Sequence, residues 1–178
     1  ALRALSIAYA NATNAALISV VQGLSYTGKV FDVSAGTSAA LIAGLTDAST
    51  YIFKNSGLRP EAIVCGTTAF KFLLSVQGED GRPVVLVNGA GVNNIGSANV
   101  PGLSGQIMGL PIIVDPAMTA TKAYVANSAA VQTLESAGAP VRLSAEDITT
   151  LTDAISVYGY MAITVPFAAA IVELDVVA

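Results

Sequence analysis

Only a few patterns in this chain place reactive residue types at chemically meaningful spacings. Gly89-Ala-Gly91 opens like a dinucleotide-binding loop, in which glycines let backbone N–H groups approach a pyrophosphate. Asn94 stands where the third glycine belongs, and more loop follows instead of a helix, so a plain loop is the better reading. Gly102-Leu-Ser-Gly-Gln106 loosely resembles a nucleophile elbow around Ser104, but it lacks the correctly spaced second glycine. A serine there also needs a base. The chain contains no histidine, which removes His-based triads, His metal ligands and the commonest general base together. No Ser–Lys dyad spacing replaces them. Glu79-Asp80 and Glu146-Asp147 are oxygen pairs without the spacing of a calcium loop, and adjacent acids at turns are usually solvated or act as caps. Cys65 is the lone cysteine, so an internal disulfide and a thiolate metal cluster are both excluded. Between apolar neighbours it reads as buried filler in a protein of a reducing compartment. Asn11-Ala-Thr13 is formally a glycosylation sequon, discounted because it lies inside a helical pattern. Tyr158 and Tyr160 share one strand face and read as interface or partly covered surface. No catalytic, cofactor-binding or metal-binding residue is assigned, and an enzyme is disfavoured.

Composition points the same way. Among 178 residues, 53% are apolar and 11% charged, where about 25% charged is usual. Such a surface is either covered by neighbours or belongs in a membrane. The net charge is −4, and the eight cations (Arg3, Lys29, Lys54, Arg59, Lys71, Arg82, Lys122, Arg142) are scattered. A basic footprint for nucleic acid is absent. The chain does not begin with Met and its first residues already read as the interior of a helix, so we expect a piece of a longer product.

The elements read as α+β. Residues 2 to 22 are Ala-rich, with Leu2, Leu5, Tyr9, Ala12, Ala16 and Val20 at three- and four-residue steps, a helix of roughly 30 Å at about 1.5 Å per residue. Its low charge predicts that it is covered along much of its length or carries thin polar edges. A short strand is placed at 29–33. Thr37 or Ser38 caps a second helix to about Asn55, with Leu41, Leu45, Ala48 and Ile52 on one face and Gly57 ending it. A strand at 61–65 follows, then a helix capped by Thr67 and running to about Val76. Strands are placed at 83–87, 122–126, 131–134 and 140–143, with Ser144-Ala-Glu-Asp147 capping a turn or short helix. Residues 88–104 read as a long Gly-, Asn- and Ser-rich loop, which is functional, mobile or covered by a partner.

The stretch Gly105 to Pro116 holds an apolar strand core, Leu110 to Val114, punctuated by Gly105, Gly109, Pro111 and Pro116. It reads as a buried or edge strand reached through a tight bend, which is architecture without chemistry. Between Asp153 and Glu173 there is no charge, a length that would just span a bilayer. The alternation of Ile155, Val157, Met161, Ile163 and Val165 with Ser156, Tyr158, Tyr160, Ala162 and Thr164 favours one long strand of about 36 Å instead. Pro166 then separates it from a second strand, 167–174. A membrane span at 154–172 remains as an alternative. Gly105, Gly109, Pro111 and Pro166 are the residues singled out as structurally decisive.

The order of these elements resembles the C-terminal portion of tailed-phage major capsid proteins with the Hong Kong 97 type fold, shared with encapsulin shells. The likeness rests on a long first helix, on Arg59-Pro-Glu-Ala-Ile-Val-Cys65 ahead of a helix from Thr67 to Gln77, and on the turn Glu79-Asp-Gly-Arg82. It rests also on Gly109-Leu-Pro-Ile-Ile113, similar to the family's Gly-Leu-Pro-Val-Val strand, and on Pro166-Phe167-Ala168 after a long strand. The resemblance implies a spine helix at 1–27 and long strands at 129–165 in a peripheral domain, and an axial domain at 28–128 completed by a final strand at 166–178. The loop 88–104 would then lie towards the capsomer centre. The family's N-terminal arm and extended loop hairpin have no counterpart here, so this piece alone is expected to be a monomer or small ring. What is implied is a self-assembling icosahedral shell subunit of a phage or prophage, forming pentamers and hexamers. It would touch its double-stranded DNA weakly and non-specifically, work with scaffold and decoration proteins, need no cofactor and meet no membrane. An encapsulin-type compartment is the alternative within the same fold.

Overall fold

The computed structural model describes residues 2–78, 81, 85–87, 96–99, 102–147 and 152–176. The fold is α+β, and the chain divides into two compact units. One comprises 1–23 with 131–165; the other comprises 24–130 with 166–178.

The larger unit is built on one mixed sheet. Its strands are β1 (Val30–Asp32), β2 (Ala62–Cys65), β3 (Val85–Val87), β4 (Gly96–Asn99), β5 (Ser104–Ile107), β6 (Leu110–Val114), β7 (Ala123–Ala126) and β12 (Ile171–Asp175). They lie in the order β1-β12-β7-β2-β6-β5-β4-β3. β12, from the end of the chain, is inserted between β1 and β7, parallel to the first and antiparallel to the second. Strands covered on both faces need continuous apolar sequence. β7 and β12 supply it: Ala123, Val125, Val172 and Leu174 are all buried, as are Ile63 and Cys65 of β2.

Two helices belong to this unit. α2 (Ser38–Ser56) starts where Thr37 accepts the Ala40 N–H at 3.3 Å and ends at Gly57, whose φ of 73° carries the left-handed cap. Its buried stripe is Leu41, Leu45, Ala48 and Ile52, as the spacing predicts, and it packs on β1 and β12. Gly44 on that stripe has no room for a side chain; a Cβ there would lie 2.5 Å from Val33 Cγ1. α3 (Thr67–Ser75) buries Ala69, Phe70 and Leu73. The residue preceding it in the cap position is Gly66, and Thr67 is already helical, a shift of one residue from the expected cap.

The smaller unit holds α1 (Leu2–Gln22), β8 (Gln132–Glu135), β9 (Val141–Asp147), β10 (Thr152–Tyr158) and β11 (Met161–Thr164). β9 pairs with β10 and β8 with β11, each an antiparallel two-stranded sheet, and α1 packs on β10 and β11.

Several expectations are corrected. The single strand 155–165 is two strands, because Gly159 marks a change of pairing partner. A Cβ on Gly159 would run into the Tyr9 hydroxyl and stand 3.0 Å from Ala139 Cβ, so the ribbon bends where only glycine fits. The stretch 154–172 is most of β10, β11, one 3₁₀ turn (Ala168–Ala170) and the start of β12, and no α-helix forms in it, so no helical span lies there. Ser144 to Asp147 continue β9 instead of capping a turn, since they pair with 152–155. Residues 96–99, expected as loop, are β4; 88–95 lie outside the described residues. The inward side of α1 carries the buried Ile18 and the half-buried Leu5, Tyr9, Thr13 and Leu17, while Ala12 and Ala16 face outward. Most of α1 is exposed: the window Arg3–Gln22 is 6% buried, though long and apolar enough by length and composition alone to cross a membrane.

Candidate functional site

The expected strand core Leu110 to Val114 forms as β6, and the tight bend before it is the turn of a hairpin whose other strand is β5. Ile107 and Leu110 are directly paired, leaving Met108 and Gly109 as a two-residue turn. Both have positive φ, 50° and 82°, the pattern of a type I′ turn, whose twist matches the flanking strands. Gly109 suits that conformation; Met108 is strained in it. Pro111 stands opposite Gln106, one pair beyond the turn. Residues flanking a two-residue turn exchange their hydrogen bonds, so the next pair does not, and the N–H that Pro111 lacks is not needed by β5. Gly105 opposes the buried Ile112. Pro166 belongs to a different connection, between β11 and the 3₁₀ turn Ala168–Ala170.

One face of the hairpin is buried through Ile107 and Ile112. The other exposes Ser104, Gln106, Pro111 and Ile113, with Leu103 and Met108 exposed at the two ends of β5. The sequence from Pro83 to Val114 carries no charge, so this surface is neutral, with Leu103, Met108, Pro111 and Ile113 as its apolar part. Leu103, like Met108, has a positive φ, 45°. Two strained, exposed apolar residues in one hairpin are the feature that sequence reasoning missed. The half-signal was Met-Gly between two apolar runs, hidden because Met is not a turn residue. Gly109→Val should cost about 1–2 kcal/mol by strain alone, since open space surrounds the position. Met108→Asn should gain about 0.5–1 kcal/mol by relieving it. Urea midpoints moving in opposite directions for the two variants are the expected result.

The principal buried polar group of the sheet is Glu173 in β12. It forms an ion pair with Lys122 and lies opposite Tyr124 of β7. The Tyr124 ring meets that of Tyr26 at 5.1 Å. Burial, with the Glu173 charge adding to it, pushes the Tyr124 hydroxyl up to about 12. Tyr26 is pushed higher still, by burial first and then by Tyr124 and Glu173. Burial likewise raises the Cys65 thiol to about 12, which makes it a poor nucleophile. All three groups stay neutral in the folded chain at pH values where the unfolded chain ionises them. Stability is therefore intact below their ordinary values, 9.0 for Cys65 and 10.0 for the tyrosines, and falls as pH rises through the interval up to the folded values. Each group contributes a slope of up to about 1.4 kcal/mol per pH unit within its interval. Urea midpoints should be flat near neutrality and drop steeply above about pH 10; a constant midpoint up to about pH 11 would contradict the burial of these groups.

The other reactive patterns do not converge. Ser104 is exposed in β5. Thr13 of the sequon is turned back to the Ala10 carbonyl, at 2.9 Å, within α1. Gly89-Ala-Gly91 and Glu79-Asp80 lie outside the described residues, as do the side chains of Glu146 and Asp147. Among the described residues no three His, Cys, Asp or Glu side chains form a group able to hold a metal ion. Tyr158 and Tyr160 stand edge to face at 6.1 Å, both exposed.

The fold is α+β, and among the described residues the reactive side-chain types do not gather into one site. A family model described as phage capsid protein matches residues 1–173, and the chain belongs to that family, whose members are structural components of the virion capsid. The resemblance to capsid proteins drawn from the order of elements therefore holds. No curated protein matches the chain.

Proposed function

We propose that the chain is the shell-forming part of an icosahedral phage or prophage capsid with the Hong Kong 97 type arrangement. Copies associate into pentamers and hexamers in the host cytoplasm and enclose double-stranded DNA. The observation that carries this reading is the family match across 1–173, joined to a surface with too little charge for a chain alone in water. In this reading 28–128 with 166–178 form the axial domain, and 1–27 with 129–165 the peripheral one. Contacts with DNA are weak and non-specific because eight scattered cations offer no continuous basic path. Scaffold and decoration proteins act on the assembled subunits. Sedimentation and negative-stain microscopy of the full-length protein test this: rings or closed shells are expected, and a monomer at high concentration would overturn it.

A further inference from the structure

One face of the smaller unit's strands is exposed without carrying charge from Ala154 to Thr164. From Ala154 to Thr164 the burial alternates without interruption, even where pairing switches from β9 to β8. Ile155, Val157, Met161 and Ile163 are half-buried, in strands on which α1 packs. Ala154, Ser156, Tyr158, Tyr160, Ala162 and Thr164 are exposed. In an antiparallel pair, directly opposed residues share a face. Leu143 and Ala145 oppose Ser156 and Ala154, and Leu134 opposes Ala162, so they join the exposed set. Arg142 opposes Val157 and Glu135 opposes Met161, so these two charges, both exposed, stand on the other face. From Ala154 to Thr164, with the residues that oppose them, this exposed face is neutral, with Tyr160 at 74%, Leu143 at 53% and Leu134 at 51% exposure.

We infer that this neutral face, centred on Tyr158, Tyr160, Leu143 and Leu134, is a contact surface between copies of the chain. The inference rests on the shell-subunit reading and names one surface through which it works. Charge selects the partner. A polyanion needs cations, and this face offers none. Copies that each carry a net charge of −4 repel one another, and they approach most cheaply through surface without charge. The anchors are also held in place. Tyr160 accepts the Ser136 N–H at 2.9 Å through its carbonyl, and its N–H donates to Ser136 Oγ at 3.3 Å. Its ring is braced edge-on by Tyr158. Rigid tyrosines with few rotatable bonds make good interface anchors because little entropy is lost on contact. Size sets the mode of use. Eleven strand positions at about 3.3 Å each, two strands wide, present a few hundred Å², below the roughly 800 Å² per partner of a stable complex. The face therefore serves as one of several linked contacts in a closed assembly, not as the seat of an isolated dimer.

The test uses particles of the full-length protein carrying Ser156→Cys. The native Cys65 is buried, so a maleimide reports on position 156. Labelling should be at least about tenfold slower in particles than in dissociated subunits. A second variant, Leu143→Glu with Tyr160→Glu, should abolish particles while leaving the urea midpoint of the subunit unchanged. Equal labelling rates in particles and subunits, or normal particles from the double variant, would overturn this role for the face and leave the shell reading standing. Failure of the unaltered protein to form particles of any kind would overturn both.

Discussion

Replacing Gly66 with alanine is expected to unfold the larger unit or leave it barely stable. Gly66 joins β2 to α3 with φ −78° and ψ 171°, angles open to any residue, so glycine is not there for its backbone freedom. It is there for space. A Cβ at this position would collide with the Thr119 carbonyl oxygen and lie 2.6 Å from Ala120 Cα, and backbone cannot rotate out of the way as a side chain does. The crossing is tied by hydrogen bonds from the Gly66 N–H to the Lys122 carbonyl (2.9 Å) and from the Ala69 N–H to the Ala120 carbonyl (2.8 Å). Forcing the segments apart adds overpacking strain of about 1–3 kcal/mol and weakens two bonds worth about 0.5–1.5 kcal/mol each. A total of about 2–6 kcal/mol is a large share of the roughly 5–15 kcal/mol that holds a domain folded. Urea unfolding of Gly66→Ala measures it, and a midpoint within about 0.5 kcal/mol of the unaltered chain would show that the crossing can relax.

Leu45→Ala is expected to cost about 2–5 kcal/mol by removing buried methyl groups and leaving a cavity. Leu45 is 1% exposed on the inward face of α2, flanked by Leu41 and Ala48, with Gly44 already pressed against Val33. Close backbone approach at Gly44 limits how far the helix can move to fill the space. The cost therefore belongs in the upper half of the range. Ile42→Ala on the outer face of the same helix should change stability by less than about 0.5 kcal/mol, so the pair separates burial from helix propensity. Equal losses for the two would contradict the packing of α2. Both substitutions leave the hairpin turn and the neutral face of the smaller unit untouched, so a subunit that still folds should still assemble.

Much of the local structure was legible because its causes are local. The 4-3-4 spacing of Leu41, Leu45, Ala48 and Ile52, Thr37 before them and Gly57 after them specify a capped amphipathic helix without reference to the rest of the chain. The alternation from Ile155 to Thr164 specifies which side chains are covered, and burial follows it residue by residue even though the strand is split. Lack of histidine, a single cysteine and low charge are properties of composition, and they point to surface and association without reference to the fold.

Pairing was not legible. Whether 105–116 is one strand or a hairpin depends on what β5 finds beside it, and β4 and β6 supply that from both sides. The strained Met108 turn, the insertion of β12 between β1 and β7, and the meeting of Glu173 with Lys122 and Tyr124 all join residues distant in sequence. Their periodicity in the sequence is the same whichever neighbour they choose. By itself, then, the sequence determined the elements, their covered faces and the neutral character of the surface. Only the tertiary structure decided which strands are partners and on which side the remaining charges stand. The reason is physical: side-chain alternation is encoded one residue at a time, whereas a hydrogen-bonded ladder is satisfied by any backbone of suitable register.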